Sequence, residues 1–271
     1  MPTLIKIIIL YMINWEVNSL NDFFGNWINE TETLKERFIN AKPFEHIVID
    51  NFLQNDFAEQ IYNEFPENFS DWHKYNNPLE VKYAFDNLSE MGENTQKLFS
   101  CFASSQFTNI IAKVSDIHNI EYDPYLHGAG LHAHPRNGRL NIHLDYEQHP
   151  VLINKERRLN IILFITKDWN EEWHGDNQLW NNEATECKVK THVKFNRAIL
   201  FKTNDISWHG LPDKIDCPEG IYRKSIAYYY ISDLVSKAYE NKYGNDGSGH
   251  RTKATYIQNP NEPYNDKIQQ L

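Results

Sequence analysis

The chain has 271 residues, of which 41% are hydrophobic and 14% aromatic, enough for one large domain with a sizeable core; 15 Tyr, 15 Phe and seven Trp favour β-strands over a helical bundle. The net charge of −10 argues against nucleic acid and against an anionic membrane as partners, because phosphate binding needs a basic face. The isolated cysteines Cys101, Cys187 and Cys217 form neither a metal-binding spacing nor an even disulfide set, so a reducing, cytoplasmic location is expected.

The chain begins with a short apolar run between Leu4 and Ile13. Spanning a bilayer takes about 20 apolar residues. The run also lacks a basic segment before it and a small-residue cleavage site after it. Residues 1–13 are therefore interpreted as a short strand, or as an extension ahead of a start at Met12, and not as a targeting segment.

The segment 31–120 is predicted to be mostly helical. Apolar residues four apart over 57–65 form one helical face, and a second helical pattern runs over 105–114. Between these helices, the polar and aromatic residues 72–87 are typical of a long loop.

From about residue 121 the pattern changes to the alternation and the short apolar runs of β-strands. The predicted strands are 131–134, 139–145, 159–166, 178–180, 198–201 and 225–231. Short strands joined by turns, with helices only upstream, predict an α+β fold that is mainly β: a jelly roll of two sheets with helices packed outside. The predicted organisation is a single domain over 1–271. It has helical support over 1–120, a β core over 121–232 and a surface tail over 233–271.

His143 and Asp145 lie two residues apart on one predicted strand, so both side chains point to the same face. His209 follows 64 residues after Asp145, and a jelly roll brings a later strand opposite an earlier one. The three side chains can then form the set of two His and one carboxylate that binds iron in non-haem Fe(II) oxygenases and leaves coordination positions open. The sequence therefore predicts a metal site made of these three residues.

Arg223 and Ser225 follow His209 and also lie two residues apart on a predicted strand. The guanidinium group of arginine is always charged, and its planar fork matches a carboxylate. A dianionic 2-oxo acid bound to iron inside a barrel needs such a fixed cation. Arg223 and Ser225 are therefore predicted to hold the distal carboxylate of that co-substrate.

Residues 42–258 resemble the prolyl-4-hydroxylase-like group of the Fe(II)/2-oxoglutarate-dependent dioxygenases. The resemblance is carried by the segments 42–53, 128–145, 158–169 and 196–201. It implies a double-stranded β-helix that binds Fe(II), 2-oxoglutarate and O2, with ascorbate as a further reductant. It also implies hydroxylation of a C–H bond with release of succinate and CO2. His143, Asp145 and His209 match the iron ligands of the group, and Arg223 and Ser225 match its co-substrate pair.

Four positions near the predicted site concern the contacts to 2-oxoglutarate. His134 falls near the place where some members use a Tyr to contact 2-oxoglutarate, and an imidazole can also donate there. Phe164 stands where another Tyr is common, and Asn160 on the same strand is the predicted replacement. Asn177 is polar where the family block has an apolar residue. These departures concern the contacts to 2-oxoglutarate and leave the predicted metal residues intact.

The sequence leaves two substrate classes as alternatives. The resemblance implies a prolyl residue of a protein or peptide; the alternative is a small metabolite, such as a free amino acid or a sugar-linked intermediate. A peptide predicts an open groove beside the iron, and a small molecule predicts a cavity closed by residues 72–87 or by the tail. Arg158 is placed either at the cavity mouth or in a structural ion pair. A non-catalytic metal-binding barrel, acting as a sensor or interaction module, is the rival function, and Arg223 with Ser225 argues against it.

Overall fold

The computed structural model describes residues 19–235 and 249–263. Within them, 13 strands and four α-helices build a mostly antiparallel sheet that curls into a nearly closed barrel. The strands are β1 (His46–Ile49), β2 (His73–Asn76), β3 (Glu80–Phe85), β4 (Glu121–Tyr122), β5 (Gly130–His134), β6 (Arg139–Leu144), β7 (Lys155–Phe164), β8 (Asn177–Trp180), β9 (Cys187–Thr191), β10 (Arg197–Lys202), β11 (His209–Leu211), β12 (Arg223–Asp233) and β13 (Thr255–Tyr256). The helices are α1 (Thr31–Asn40), α2 (Asn55–Glu64), α3 (Glu93–Ala103) and α4 (Ser105–Ser115).

The hydrogen-bonded strand order is β1-β10-β7-β12-β5-β3-β6-β11-β8-β9, with β2 on β3, β4 on β12 and β13 on β6. β3 pairs with β5 near Phe85 and with the beginning of β6 near Glu80, so this one strand joins the two layers of the barrel. The predicted jelly roll with upstream helices is confirmed by this arrangement.

The helices pack on the outer face of the layer that contains β12. The rings of Phe24 and Phe107 stack with centroids 4.5 Å apart, and the hydroxyl of Tyr230 on β12 donates to the carbonyl of Phe102 on α3 at 2.8 Å. α4 begins where the hydroxyl of Ser104 accepts from the backbone N–H of Phe107 at 3.2 Å, which caps the helix. Each of these buried rings stabilises the fold by roughly 1.5–3 kcal/mol, so the helices brace the barrel wall from outside.

Residues 72–87 were predicted as a long loop, and the structure corrects this: they contain the β2–β3 hairpin. The charged residues Glu80 and Lys82 explain why the sequence did not predict a strand here. Their side chains point into the barrel mouth, where Nζ lies 2.7 Å from Oε1 and each side chain is only 11% exposed. In a strand whose inward face is charged, the usual alternation of apolar inward and polar outward residues is reversed. The hydrophobic pattern of the sequence therefore does not predict a strand.

The predicted surface tail is described over 233–235 and 249–263, and in the second of these segments it differs from the prediction. Tyr256 on β13 pairs with His143 on β6, and the side chain of Arg251 is buried. This part of the tail therefore belongs to the barrel wall. The rest of the tail and the apolar segment 1–13 lie outside the described residues. No helix in the described ranges is long and apolar enough to cross a membrane.

Candidate metal centre and co-substrate pocket

His143, Asp145 and His209 meet at one point on the inner face of the barrel. The two histidines are opposite each other on β6 and β11, and their ring centroids are 4.3 Å apart. Asp145 directly follows β6. Its Oδ1 lies 3.6 Å from Nε2 of His143, and its Oδ2 lies 3.6 Å from Nε2 of His209. One ligand atom from each residue lies within 4.8 Å of the other two, a spacing that suits one metal ion.

The hydrogen bonds of the two histidines direct the correct nitrogen to the centre. Nδ1 of His143 lies 2.8 Å from the carbonyl of Asn141, and Nδ1 of His209 lies 2.8 Å from the carbonyl of Ser207. A carbonyl only accepts, so each Nδ1 carries the proton and each Nε2 presents its lone pair. Burial, with the charge of His143, lowers the pKa of His209 to about 4. The imidazole of His209 is therefore neutral near pH 7, as metal binding requires.

The carboxylate of Asp145 is held at both oxygens. Nη1 of Arg157 lies 3.1 Å from Oδ1, and Nδ2 of Asn160 donates to Oδ2 at 2.6 Å. Burial alone would raise the pKa of Asp145, but the positive charge of Arg157 and the contacts with the two histidines hold it well below the usual value. The carboxylate is thus ionised and fixed in orientation. Asn160, predicted to contact 2-oxoglutarate, contacts the metal-site carboxylate instead, and its role toward the co-substrate stays a prediction.

Arg157 is a functional residue that the sequence analysis missed. Its guanidinium carbon lies 3.8 Å from the ring centroid of Tyr146 and 3.6 Å from that of Tyr229, and Nη2 donates to the carbonyl of His127 at 2.9 Å. The neighbouring Arg158, considered for the cavity mouth, forms an ion pair with Glu156 at 2.7 Å. The pairing of β7 with β12 shifts register here. Because of this β-bulge, strand alternation in the sequence does not predict which of the two arginines faces inward.

Arg223 forms the second part of the site. Its buried side chain donates from Nε to the carbonyl of Gly175 at 2.7 Å and from Nη1 to the hydroxyl of Ser225 at 3.1 Å, and it lies over the ring of Phe164 at 4.8 Å. Burial lowers the pKa of Arg223 to about 10, and the more distant charge of Asp176 offsets this in part. Within the described residues no carboxylate forms an ion pair with it. A buried cation in this state calls for an anionic ligand.

Several buried polar side chains on the barrel strands have no hydrogen-bond partner within the described residues. His134 lies opposite Arg223 in the β5–β12 ladder, and neither of its ring nitrogens has a hydrogen bond with the described part of the chain. The side-chain amide of Asn141, the Oδ1 of Asn177 and the hydroxyl of Thr191, which lies opposite Asn177, are also buried and accept or donate no hydrogen bond among the residues that the structure describes. Each such group costs about 1–3 kcal/mol. A dianion with an additional oxo oxygen would accept from the donors among them, so the pocket fits 2-oxoglutarate.

The C-terminal segment reaches the metal residues, which the sequence analysis did not foresee. The ring of Tyr256 stacks on that of His143 with centroids 5.3 Å apart and an interplanar angle of 27°. Nε of Arg251 donates to the carbonyl of Asp145 at 2.5 Å, and the carbonyl of Arg251 accepts from the N–H of Glu147 at 2.7 Å. The tail is thus tied to the turn that follows the metal-site carboxylate. These contacts join residues about 100 positions apart, and no local pattern in a polar tail signals them.

Comparison with known proteins shows a family resemblance over the segment that contains this site. The sequence profile of the 2OG-Fe(II) oxygenase superfamily matches residues 129–231, which include the His-Asp-His set and Arg223 with Ser225. A search of curated proteins gives no match.

Solved structures show the same fold. A prolyl hydroxylase from Trichoplax adhaerens, in complex with a hypoxia inducible factor peptide fragment, has a TM-score of 0.53 at 18% identity and covers 79% of this chain and 98% of its own. A Pseudomonas putida prolyl-4-hydroxylase has a TM-score of 0.50 at 12% identity, covering 73% and 98%. The prolyl 4-hydroxylase structure from Phytophthora capsici has a TM-score of 0.52 at 16% identity, covering 80% and 67%.

At these identities the solved structures show the fold, while the family profile and the His-Asp-His set point to the class of enzyme. Residues 129–231 match the 2OG-Fe(II) oxygenase superfamily, and the chain has the double-stranded β-helix fold of the prolyl hydroxylase structures. Together with the His-Asp-His set, these findings support a 2-oxoglutarate-dependent dioxygenase that uses Fe(II).

Proposed function

We propose that the protein hydroxylates a C–H bond of its substrate and converts 2-oxoglutarate and O2 to succinate and CO2. One oxygen atom of O2 becomes the hydroxyl group of the product and the other enters succinate, so atoms and electrons balance. The observation that carries this proposal is the position of buried Arg223, which has no acidic partner among the described residues, in the same barrel as the His-Asp-His set. Bound iron supplies the redox chemistry with O2 that side chains lack.

Each residue then has a defined task. His143 and His209 bind the iron through Nε2, and Asp145 binds it through its carboxylate. Arg223 and Ser225 bind the distal carboxylate of 2-oxoglutarate, for which their mutual hydrogen bond at 3.1 Å already aligns them. His134 donates a hydrogen bond to the same ligand from the opposite strand.

The protein also excludes water from this chemistry. His143, Asp145 and His209 expose only 4%, 8% and 4% of their surfaces. A closed site limits consumption of O2 and 2-oxoglutarate in the absence of substrate, and it strengthens the electrostatic contacts that hold the co-substrate. A non-catalytic metal-binding barrel has no use for Arg223 and the unsatisfied donors around it.

Two substrate classes remain from the sequence. A prolyl residue of a peptide is implied by the resemblance. The structure favours the alternative of a small molecule, because the β2–β3 hairpin and β13 flank the metal strand on the side away from β11.

Succinate formation tests the proposed reaction. Purified protein with Fe(II), ascorbate, O2 and 2-oxoglutarate is compared with His143→Ala, with Arg223→Ala and with Arg37→Ala, an exposed arginine of α1 that serves as the matched control. We expect wild type and the control to form succinate, slowly even without substrate. The other two variants should lose at least ~100-fold of the rate, as enzymes do when a group essential to the chemistry is removed. Equal rates in all four proteins, or failure of the Mn(II)-loaded wild type to bind 2-oxoglutarate, would refute the proposal.

A further inference from the structure

Two segments outside the family-matched region enclose the metal residues. β13 pairs with β6 at His143, and β3 pairs with the beginning of β6, both on the edge of β6 that β11 leaves open. A polypeptide substrate needs a groove that is open on two sides of the metal, so that the chain can enter and leave. The burial of the metal residues behind these strands favours a compact substrate.

This wall carries a buried ion pair. Glu80 and Lys82 both point inward from β3, with Nζ 2.7 Å from Oε1, and in the described part of the chain neither has a second ion-pair partner. Nζ of Lys82 also lies 5.1 Å from the ring centroid of Tyr75, its neighbour across the hairpin.

The strand pairings bring the ion pair to both parts of the site. Tyr83 pairs with Ala133, so Lys82 lies beside His134, and Glu80 pairs with Leu140 on the strand that carries His143. The negative charge of Glu80, after burial, raises the pKa of Tyr256, whose ring stacks on His143. The positive charge of Lys82, after burial and the charge of Arg223, lowers the pKa of His134 in the co-substrate pocket. These effects agree with the strand pairings, which place the two buried charges beside the metal strand and the co-substrate pocket.

A buried ion pair is costly to keep, because the loss of hydration exceeds the mutual attraction unless further polar groups complete its bonding. A ligand that carries both charges would complete it: an ammonium donates to the carboxylate of Glu80, and a carboxylate accepts from the ammonium of Lys82. In an α-amino acid one carbon joins the two groups, which matches two recognition groups that are themselves in contact.

We propose that the substrate is a small zwitterion of the free amino acid type, recognised by Glu80 and Lys82. Tyr75 and Tyr256 pack against its carbon chain. A residue inside a peptide lacks both charges and leaves the ion pair without new partners, so the same pair discriminates against peptides. This inference rests on the proposed function, because it assigns the substrate of the same metal site.

Binding to protein loaded with Mn(II) and 2-oxoglutarate tests the inference without turnover. The common free L-amino acids are titrated by calorimetry, each beside its N-acetyl N-methylamide, which keeps the side chain and removes both charges. We expect at least one amino acid to bind roughly tenfold or more tighter than its derivative, as for a hydrogen bond to a charged group. Glu80→Gln should lose that preference. Glu93→Gln, from an exposed ion pair with Lys97 at 2.8 Å, should keep it.

Glu80→Gln leaves the Lys82 ammonium buried without its partner, so the double variant Glu80→Gln with Lys82→Met is measured as well, and it should also lose the preference. The inference is overturned if no amino acid binds, if a derivative binds as tightly as its amino acid, or if Glu80→Gln retains the preference. Binding of 2-oxoglutarate and slow succinate formation are measured on the same wild-type protein. If these succeed while the amino acids fail, only the substrate assignment is lost; if these fail too, the proposed function is lost with it.

Discussion

The ion pair between Arg157 and Asp145 should contribute strongly to the stability of the metal-free protein. Their side chains are only 2% and 11% exposed, and the guanidinium group lies between two tyrosine rings. Arg157→Leu leaves the charge of Asp145 without its cation inside the barrel. Removing one member of a buried ion pair costs about 3–5 kcal/mol, because the other charge stays buried. We expect the free energy of unfolding, measured with urea in the presence of a chelator, to fall by about 4 kcal/mol.

A double-mutant cycle separates this charge effect from lost packing. Asp145→Asn leaves Arg157 unpaired, whereas the double variant buries neither charge, so its loss should be smaller than the sum of the single losses. We expect a coupling energy of about 2 kcal/mol or more. The control is Arg136→Leu, which removes a partly exposed ion pair with Asp216 and should cost about 1 kcal/mol or less. A loss below about 1 kcal/mol for Arg157→Leu, or additivity within about 0.5 kcal/mol, would show that Arg157 does not hold the charge of Asp145.

Three further changes test other parts of the structure. Gly175→Ala places a Cβ 3.2 Å from Cδ of Arg223 at a φ of +88°. The affinity for 2-oxoglutarate, measured by calorimetry, should therefore fall roughly tenfold while the affinity for Mn(II) is kept. An unchanged affinity for 2-oxoglutarate would contradict the assignment of Arg223 to the co-substrate pocket. Arg251→Ala removes the tie between the tail and the metal loop, so the Tm should fall by about 5 °C and Mn(II) should bind more weakly; unchanged Mn(II) binding argues against that tie. The hydrogen bond from Arg197 lowers the pKa of Asp50 to about 2, so the stability that this carboxylate provides is present above pH 3.8 and lost as the pH falls toward 2. Because its side chain is 39% exposed, Asp50→Asn should cost about 1 kcal/mol in urea unfolding at pH 7 and almost nothing near pH 2, and an equal cost at both pH values contradicts this assignment.

The residues that the sequence predicted for the site share one property: their geometry is local. His143 lies two positions before Asp145, which directly follows β6, and Arg223 and Ser225 lie two positions apart on β12; the alternation of a strand directs such pairs to one face. The long-range step, which placed His209 opposite His143, followed from the jelly roll. Strand alternation was therefore sufficient to predict which of these side chains share a face.

The residues that the sequence did not predict depend on features without a local pattern. Arg157 faces inward because a β-bulge changes the alternation at Arg158. Glu80 and Lys82 lie on a strand whose charged face points into the barrel, which reads as a loop in the sequence. Tyr256 reaches the metal strand from a segment more than 100 residues away. In each case tertiary contacts override the local pattern.

The residues that the sequence predicted are those proposed for the reaction, whereas the residues that it did not predict include those proposed to select the substrate. The family profile covers 129–231, and that range contains the proposed ligands of the iron and of the co-substrate. Glu80, Lys82 and Tyr256, which enclose the metal residues, lie on either side of it in the chain. A scaffold that holds metal and co-substrate can therefore keep its chemistry while the strands added at its edge change what enters. Because β3 and β13 both pair with the strand that carries His143, a change in either segment alters the space beside the metal without altering the ligands.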